Sequence, residues 1–70
     1  MSFAARVMEV VEHRPGIADR PLAEALACSV QQVNGECRHL ENLGLLSRKK
    51  GDGEPIGNYP VRQRPTLTVV

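Results

Sequence analysis

Four side chains in the middle of the chain, Gln31, Gln32, Asn34 and Arg38, carry groups that make paired hydrogen bonds with the edges of flat heterocycles. The amides of Gln and Asn match adenine and the guanidinium of Arg matches guanine in the major groove of duplex DNA, each good pair discriminating by about 1–3 kcal/mol. A second chemical group follows, the consecutive cations Arg48-Lys49-Lys50, with Arg62 beyond them. Cations in that arrangement suit phosphate oxygens, which position a protein on a duplex without reading its sequence.

Other chemistry is poorly provided for. Cys37 and His39 are two residues apart, about 200° around a helix, so they do not converge on one metal ion. Cys28 and Cys37 read instead as small buried hydrophobes with reduced thiols. Gly51-Asp52-Gly53 lacks the lysine and spacing of a phosphate-binding loop and reads as a hairpin turn. No nucleophile, base and orienting acid are brought together by spacing, so neither an enzyme, a cofactor nor a metal site is expected.

The elements that must position the polar groups follow from periodicity. Phe3, Val7, Val10 and Val11 form a helical stripe, so helix 1 runs from about Ser2 to His13 and ends at Pro15-Gly16. Asp19 is the expected N-cap of helix 2, from about Arg20 to Leu26, with Pro21 tolerated in its first turn. Ser29 and Gln32 have the spacing of a capping box, so helix 3 begins at Val30 and runs to Leu43, where Gly44 ends it. Val33, Cys37 and Leu40 make its buried stripe. Gln31, Gln32, Asn34, Gly35, Arg38 and His39 then share the outer face, with Ser29 at its start. Gly35 reads two ways: close approach of the backbone to a partner, or tolerance at an exposed site where glycine costs roughly 1 kcal/mol relative to alanine. Leu45 to Lys50 reads as a strand, Gly51 to Pro55 as a turn and Ile56 to Arg62 as the returning strand, with Tyr59 and Val61 on one face.

The run from Pro15 to Tyr59 resembles the winged helix-turn-helix superfamily, in the arrangement of small MarR-like bacterial and phage transcriptional regulators. The resemblance rests on Leu22-Ala23, Ala27-Cys28, Ser29, Val33 and Leu40-Glu41-Asn42-Leu43-Gly44-Leu45-Leu46. It implies an α+β fold with a three-helix core and a C-terminal β-hairpin wing, and a short first strand at Ile17. It also implies that Tyr59 and Val61 dock the last strand on the core. Ala27 departs from the glycine that many relatives carry in the turn. Asn34 and Pro55 are similar to positions used by winged helices that bind left-handed duplexes, but Arg38 stands where those carry Tyr and the chain has no Trp.

Seventy residues allow one domain, taken as residues 1–62, and a tail 63–70 that is an extra strand, a dimerisation segment or disordered. A core this small makes homodimerisation a natural supplement. The net charge is only +1, but residues 1–46 sum to −2 and 47–70 to +3, so positive charge gathers at the wing. No apolar run approaches membrane length and the Met-Ser-Phe start lacks a signal-peptide pattern, so a cytoplasmic protein is expected. Together these features imply a sequence-specific regulator of double-stranded DNA, and by analogy so short a chain suits a phage or mobile element. The weak net charge, with Glu36 and Glu41 on helix 3, keeps a protein-interaction module as the alternative.

Overall fold

A computed structural model describes residues 1–61; Arg62 and the tail 63–70 lie outside the described residues. Helix α1 spans Phe3–His13, and Ser2 is its cap, the hydroxyl accepting from the Ala5 N–H at 3.1 Å. Strand β1 is Ile17–Ala18, followed by helices α2, Asp19–Leu26, and α3, Val30–Asn42. Strands β2, Leu46–Lys50, and β3, Ile56–Pro60, form the C-terminal hairpin.

The ends of α2 and α3 close in the same way. At the end of α2, Ala27 takes a left-handed conformation (φ 55°), while the Cys28 and Ala27 N–H groups bond back to Ala23 and Glu24 carbonyls at 3.0 and 3.2 Å. At the end of α3, Gly44 (φ 79°) allows the Leu45 and Gly44 N–H groups to reach the Leu40 and Glu41 carbonyls, both at 3.0 Å. These paired bonds satisfy carbonyls that a helix end leaves open. Alanine at the first site makes the same turn as glycine, at a cost of about 1 kcal/mol from its Cβ. The start of α3 carries the expected capping box between Ser29 and Gln32.

The start of α2 differs from expectation. Ala18 occupies the N-cap position and no side chain caps the helix; Asp19 is its first helical residue. Its carboxylate still lies favourably near the positive helix end, but its hydrogen bonds go to β2, β3 and α3.

The sheet has the order β1-β3-β2 with both pairings antiparallel. Gly57 and Asn58 sit between Ala18 and Ile17 on one side and Lys49 and Arg48 on the other. A Cβ on Gly57 would stand 2.8 Å from the Gly16 carbonyl oxygen, so glycine is what lets the chain before β1 lie this close to β3. Three helices followed by a hairpin that takes β1 into a three-stranded sheet is the layout of a winged helix.

The core joins Val7 and Val11 of α1, Ile17, Leu22, Ala23 and Leu26, the α3 stripe Val33, Cys37 and Leu40, and Leu46 of β2. The residue that β3 turns into the interior is Asn58, fully buried, and not Tyr59 or Val61, which are 37% and 43% exposed. The docking expected of those two residues is therefore corrected. Pairing with β1 fixes the register of β3, and alternation then sends Tyr59 to the outer face. Among the described residues no helix is long and apolar enough to cross a membrane.

Candidate nucleic-acid interface

A carboxylate at the start of α2 ties the wing to the helices. Asp19 accepts bonds at 3.0 and 3.1 Å from the two terminal nitrogens of Arg48 on β2, at 2.8 Å from the Asn58 amide on β3 and at 3.0 Å from the Asn34 amide on α3. Asn58 also donates to the Ile17 carbonyl at 3.0 Å and accepts from Arg48 Nη1 at 3.0 Å. The Asp19 and Arg48 side chains are 15% and 8% exposed, so this is a largely buried pair. Among the described residues no buried side-chain polar atom lacks a hydrogen-bond partner, which is the condition for a buried polar cluster to hold together.

The charges respond to this setting. Burial pushes the Asp19 carboxyl up, but the bonds from Arg48, Asn58 and Asn34 and the charge of Arg48 outweigh it and hold the group below its ordinary value. Burial also disfavours the Arg48 cation, and Asp19 reverses that, raising its affinity for the proton. Nearby, burial pushes the Cys37 thiol up to about 11, and the negative charge of Asp19 adds to the rise.

The surface of α3 divides by angle around the buried stripe. At about 100° per residue, Gln31, Gly35, Arg38 and Asn42 lie opposite Val33, Cys37 and Leu40, and all four are exposed. Asn34 sits on the flank that meets Asp19 and is half-buried; Gln32 and His39 are exposed on the other flank. The candidate base-reading residues thus separate. Ser29 and Gln32 bond each other in the cap, the Gln32 N–H reaching Ser29 Oγ at 3.1 Å and Gln32 Oε1 accepting from the Ser29 N–H at 3.2 Å. Asn34 bonds Asp19. Gln31, Arg38 and His39 make no side-chain hydrogen bond among the described residues, and a Cβ on Gly35 would meet nothing within 4 Å. Nothing inside the described fold requires glycine there.

The basic run of the wing separates as well. Arg48 turns inward with Leu46, and its guanidinium is held by Asp19 and Asn58. Lys49 turns outward, its Nζ 5.6 Å from the centre of the Tyr59 ring, a weak cation–π contact at an exposed site. Lys50 is exposed near the turn. Arg62 is outside the described residues. An open cleft of about 460 Å³ lies between the first turn of α2, Asn34 of α3 and Pro55 and Ile56 beside the turn, with Asp19 and Arg48 in its lining. No group of three or more His, Cys, Asp or Glu side chains among the described residues is placed to hold a metal ion.

Sequence reasoning does not single out Asn58 and gives Asp19 a different task. One signal is present. Leu46 must face the core, so by strand alternation Arg48 faces it too, and an inward cation needs an anion. The chain matches no family model, no curated protein and no solved structure.

Proposed function

We propose that the chain is a sequence-specific binder of double-stranded DNA that regulates transcription by occupying its site or by recruiting other proteins there. In this reading the outer face of α3 enters the major groove, where Gln31 and Arg38 read base edges, Gly35 lets the helix backbone approach closely, and Gln32 and His39 contact the groove wall. Lys49 and Lys50 neutralise phosphates beside it. A dimer on a pseudo-palindromic site and a cytoplasmic location belong to the same reading. The observation that carries it is the exposed polar face of α3, with Gln31 and Arg38 not engaged by other described side chains, in a winged-helix layout that adds a hairpin carrying the exposed Lys49 and Lys50.

The test uses fluorescence anisotropy with a random-sequence duplex pool and with duplexes the protein selects from that pool. Arg38→Ala is expected to weaken binding to the selected duplex and leave the pool nearly unchanged, whereas Lys49→Ala weakens both and lowers the slope of log affinity against log salt by about one. No binding by the wild-type chain at low salt overturns the proposal.

A protein-interaction module is favoured by a different observation. Leu43, Leu45 and Val61 are 57%, 49% and 43% exposed, and the Val61 N–H bonds the Leu45 carbonyl at 3.2 Å, so they gather at the base of the hairpin. Retention of duplex binding in a Leu43→Ser/Leu45→Ser variant separates that patch from the DNA reading.

A further inference from the structure

We infer that Asp19, Arg48, Asn58 and Asn34 form a positioning cluster that fixes the wing relative to α3, so that helix and hairpin meet one duplex as a single rigid surface. The inference rests on the DNA-binding reading for its consequence, and on geometry alone for the linkage itself.

The geometry is specific. Side chains from β2, β3 and α3 converge on one carboxylate of α2 at 2.8–3.1 Å. Among the described residues, every side chain–side chain hydrogen bond between different elements has Asp19 or Arg48 as a partner. The other ties of the hairpin are the backbone pairing of β3 with β1 and apolar packing that includes Leu46. Apolar contact is non-directional and tolerates sliding, whereas hydrogen bonds weaken steeply with misalignment. The third strand, β1, is only two residues long and pairs with β3 at Gly57 and Asn58, so the direction of the hairpin relative to α3 depends on what else holds it there. Buried ion pairs commonly add little net stability over a packed apolar replacement, and their best-attested use is to fix register. Among these bonds, the one from Asn34 is the link to α3, and it comes from the flank next to the proposed reading face.

The consequence for recognition is a matter of simultaneous contact. Bases read from α3 and phosphates held by Lys49 and Lys50 must be reached together. A wing that swings independently must be ordered on binding, which subtracts from affinity and blurs register. Asp19, Arg48 and Asn34 therefore act through the residues that touch DNA, as positioning residues.

The test compares the wild-type chain with Asp19→Leu/Arg48→Met, which exchanges the ion pair for apolar contact, and with Asn34→Ala, which removes only the link to α3. Residual dipolar couplings of the free proteins report the hairpin direction relative to α3. Anisotropy then gives the preference for a wild-type-selected duplex over the random pool. Supporting results are helix couplings that still fit the wild-type fold, hairpin couplings over Lys49 to Ile56 that no longer fit one orientation relative to α3, and a preference reduced about tenfold. Asn34→Ala keeps the ion pair, so it decides the question even if the double variant fails to fold. Wild-type hairpin couplings in Asn34→Ala overturn the linkage. A loosened hairpin with undiminished preference overturns its role in recognition. If the wild-type chain selects no duplex, the DNA-binding reading falls and takes that role with it, while the couplings still decide the linkage.

Discussion

The two faces of the hairpin carry the same kind of charge and use it differently. Arg48 and Lys49 are neighbours in β2, yet Arg48 is buried against Asp19 and Asn58 while Lys49 lies exposed over Tyr59. Strand alternation alone separates them, since one residue along the chain exchanges the core side for the solvent side. The lesson is that a basic run does not describe a basic surface. Arg48 organises the fold, and among the described residues the positive charge the wing offers outward is that of Lys49 and Lys50.

The largest effect that tests this contrast is on stability. Arg48→Ala leaves the Asp19 carboxylate and the Asn58 carbonyl with lost partners in a largely buried site, and should destabilise by about 3 kcal/mol. That is most of what a domain of this size possesses, so the urea unfolding midpoint should collapse. Lys49→Ala, one position away, should shift the stability by less than about 1 kcal/mol. Similar losses from the two substitutions break the comparison.

Asn58→Leu probes the same inner face with a side chain of the same branching. It removes the amide donor to the Ile17 carbonyl and the Asp19 carboxylate and one of the two acceptors of Arg48 Nη1, which keeps Asp19, and a loss of about 2 kcal/mol is expected. Tyr59→Phe, on the outer face, should change the urea midpoint by far less.

Acid sharpens the comparison further. The Asp19 carboxyl is held below its ordinary value of 3.8, so its folded-state pKa is depressed. Its contribution is then fully present above the unfolded value and is lost as pH falls through the folded value. The stability difference between the wild-type chain and Asp19→Asn should be constant near neutrality and should shrink only below pH 3.8. Unfolding curves across pH check this, and a difference that closes at neutral pH contradicts the placement of the charge. The smallest effect is at Gly35, where a Cβ meets only open space. Gly35→Ala should stabilise α3 by about 0.5–1 kcal/mol and weaken duplex binding, a split that marks an exposed site where a partner approaches.

Much of the fold is legible in the sequence because its signals are local. Ser29 and Gln32 are three residues apart, and the stripe Val33, Cys37 and Leu40 repeats within one helix. The end of α3 at Gly44 and the hairpin around Gly51 to Pro55 also follow from neighbouring residues. Local reasoning misplaces Asp19 for the same cause. An acidic residue before a helical stripe has the local look of an N-cap, whereas its real partners lie 15, 29 and 39 residues away. Asn58 carries no local signature at all, being a polar residue in a short strand whose importance emerges only when β1 closes over β3. Tyr59 is expected inward only through the resemblance, since its parity is set by that same pairing, which no spacing within β3 reveals. The outer face of α3 is readable from its stripe, but not the division within it that sends Asn34 to Asp19 and leaves Gln31 and Arg38 outward.

The most direct measurement is a residue-resolved NMR titration of the chain with a random-sequence duplex at low salt, repeated at high salt. Salt-sensitive shifts at Gln31, Gly35, Arg38, Lys49 and Lys50, with the side-chain signals of Arg48 and Asn58 unmoved, are the predicted result. Unshifted signals on the outer face of α3, or an Arg48 guanidinium that responds to DNA as Lys49 does, would contradict the account.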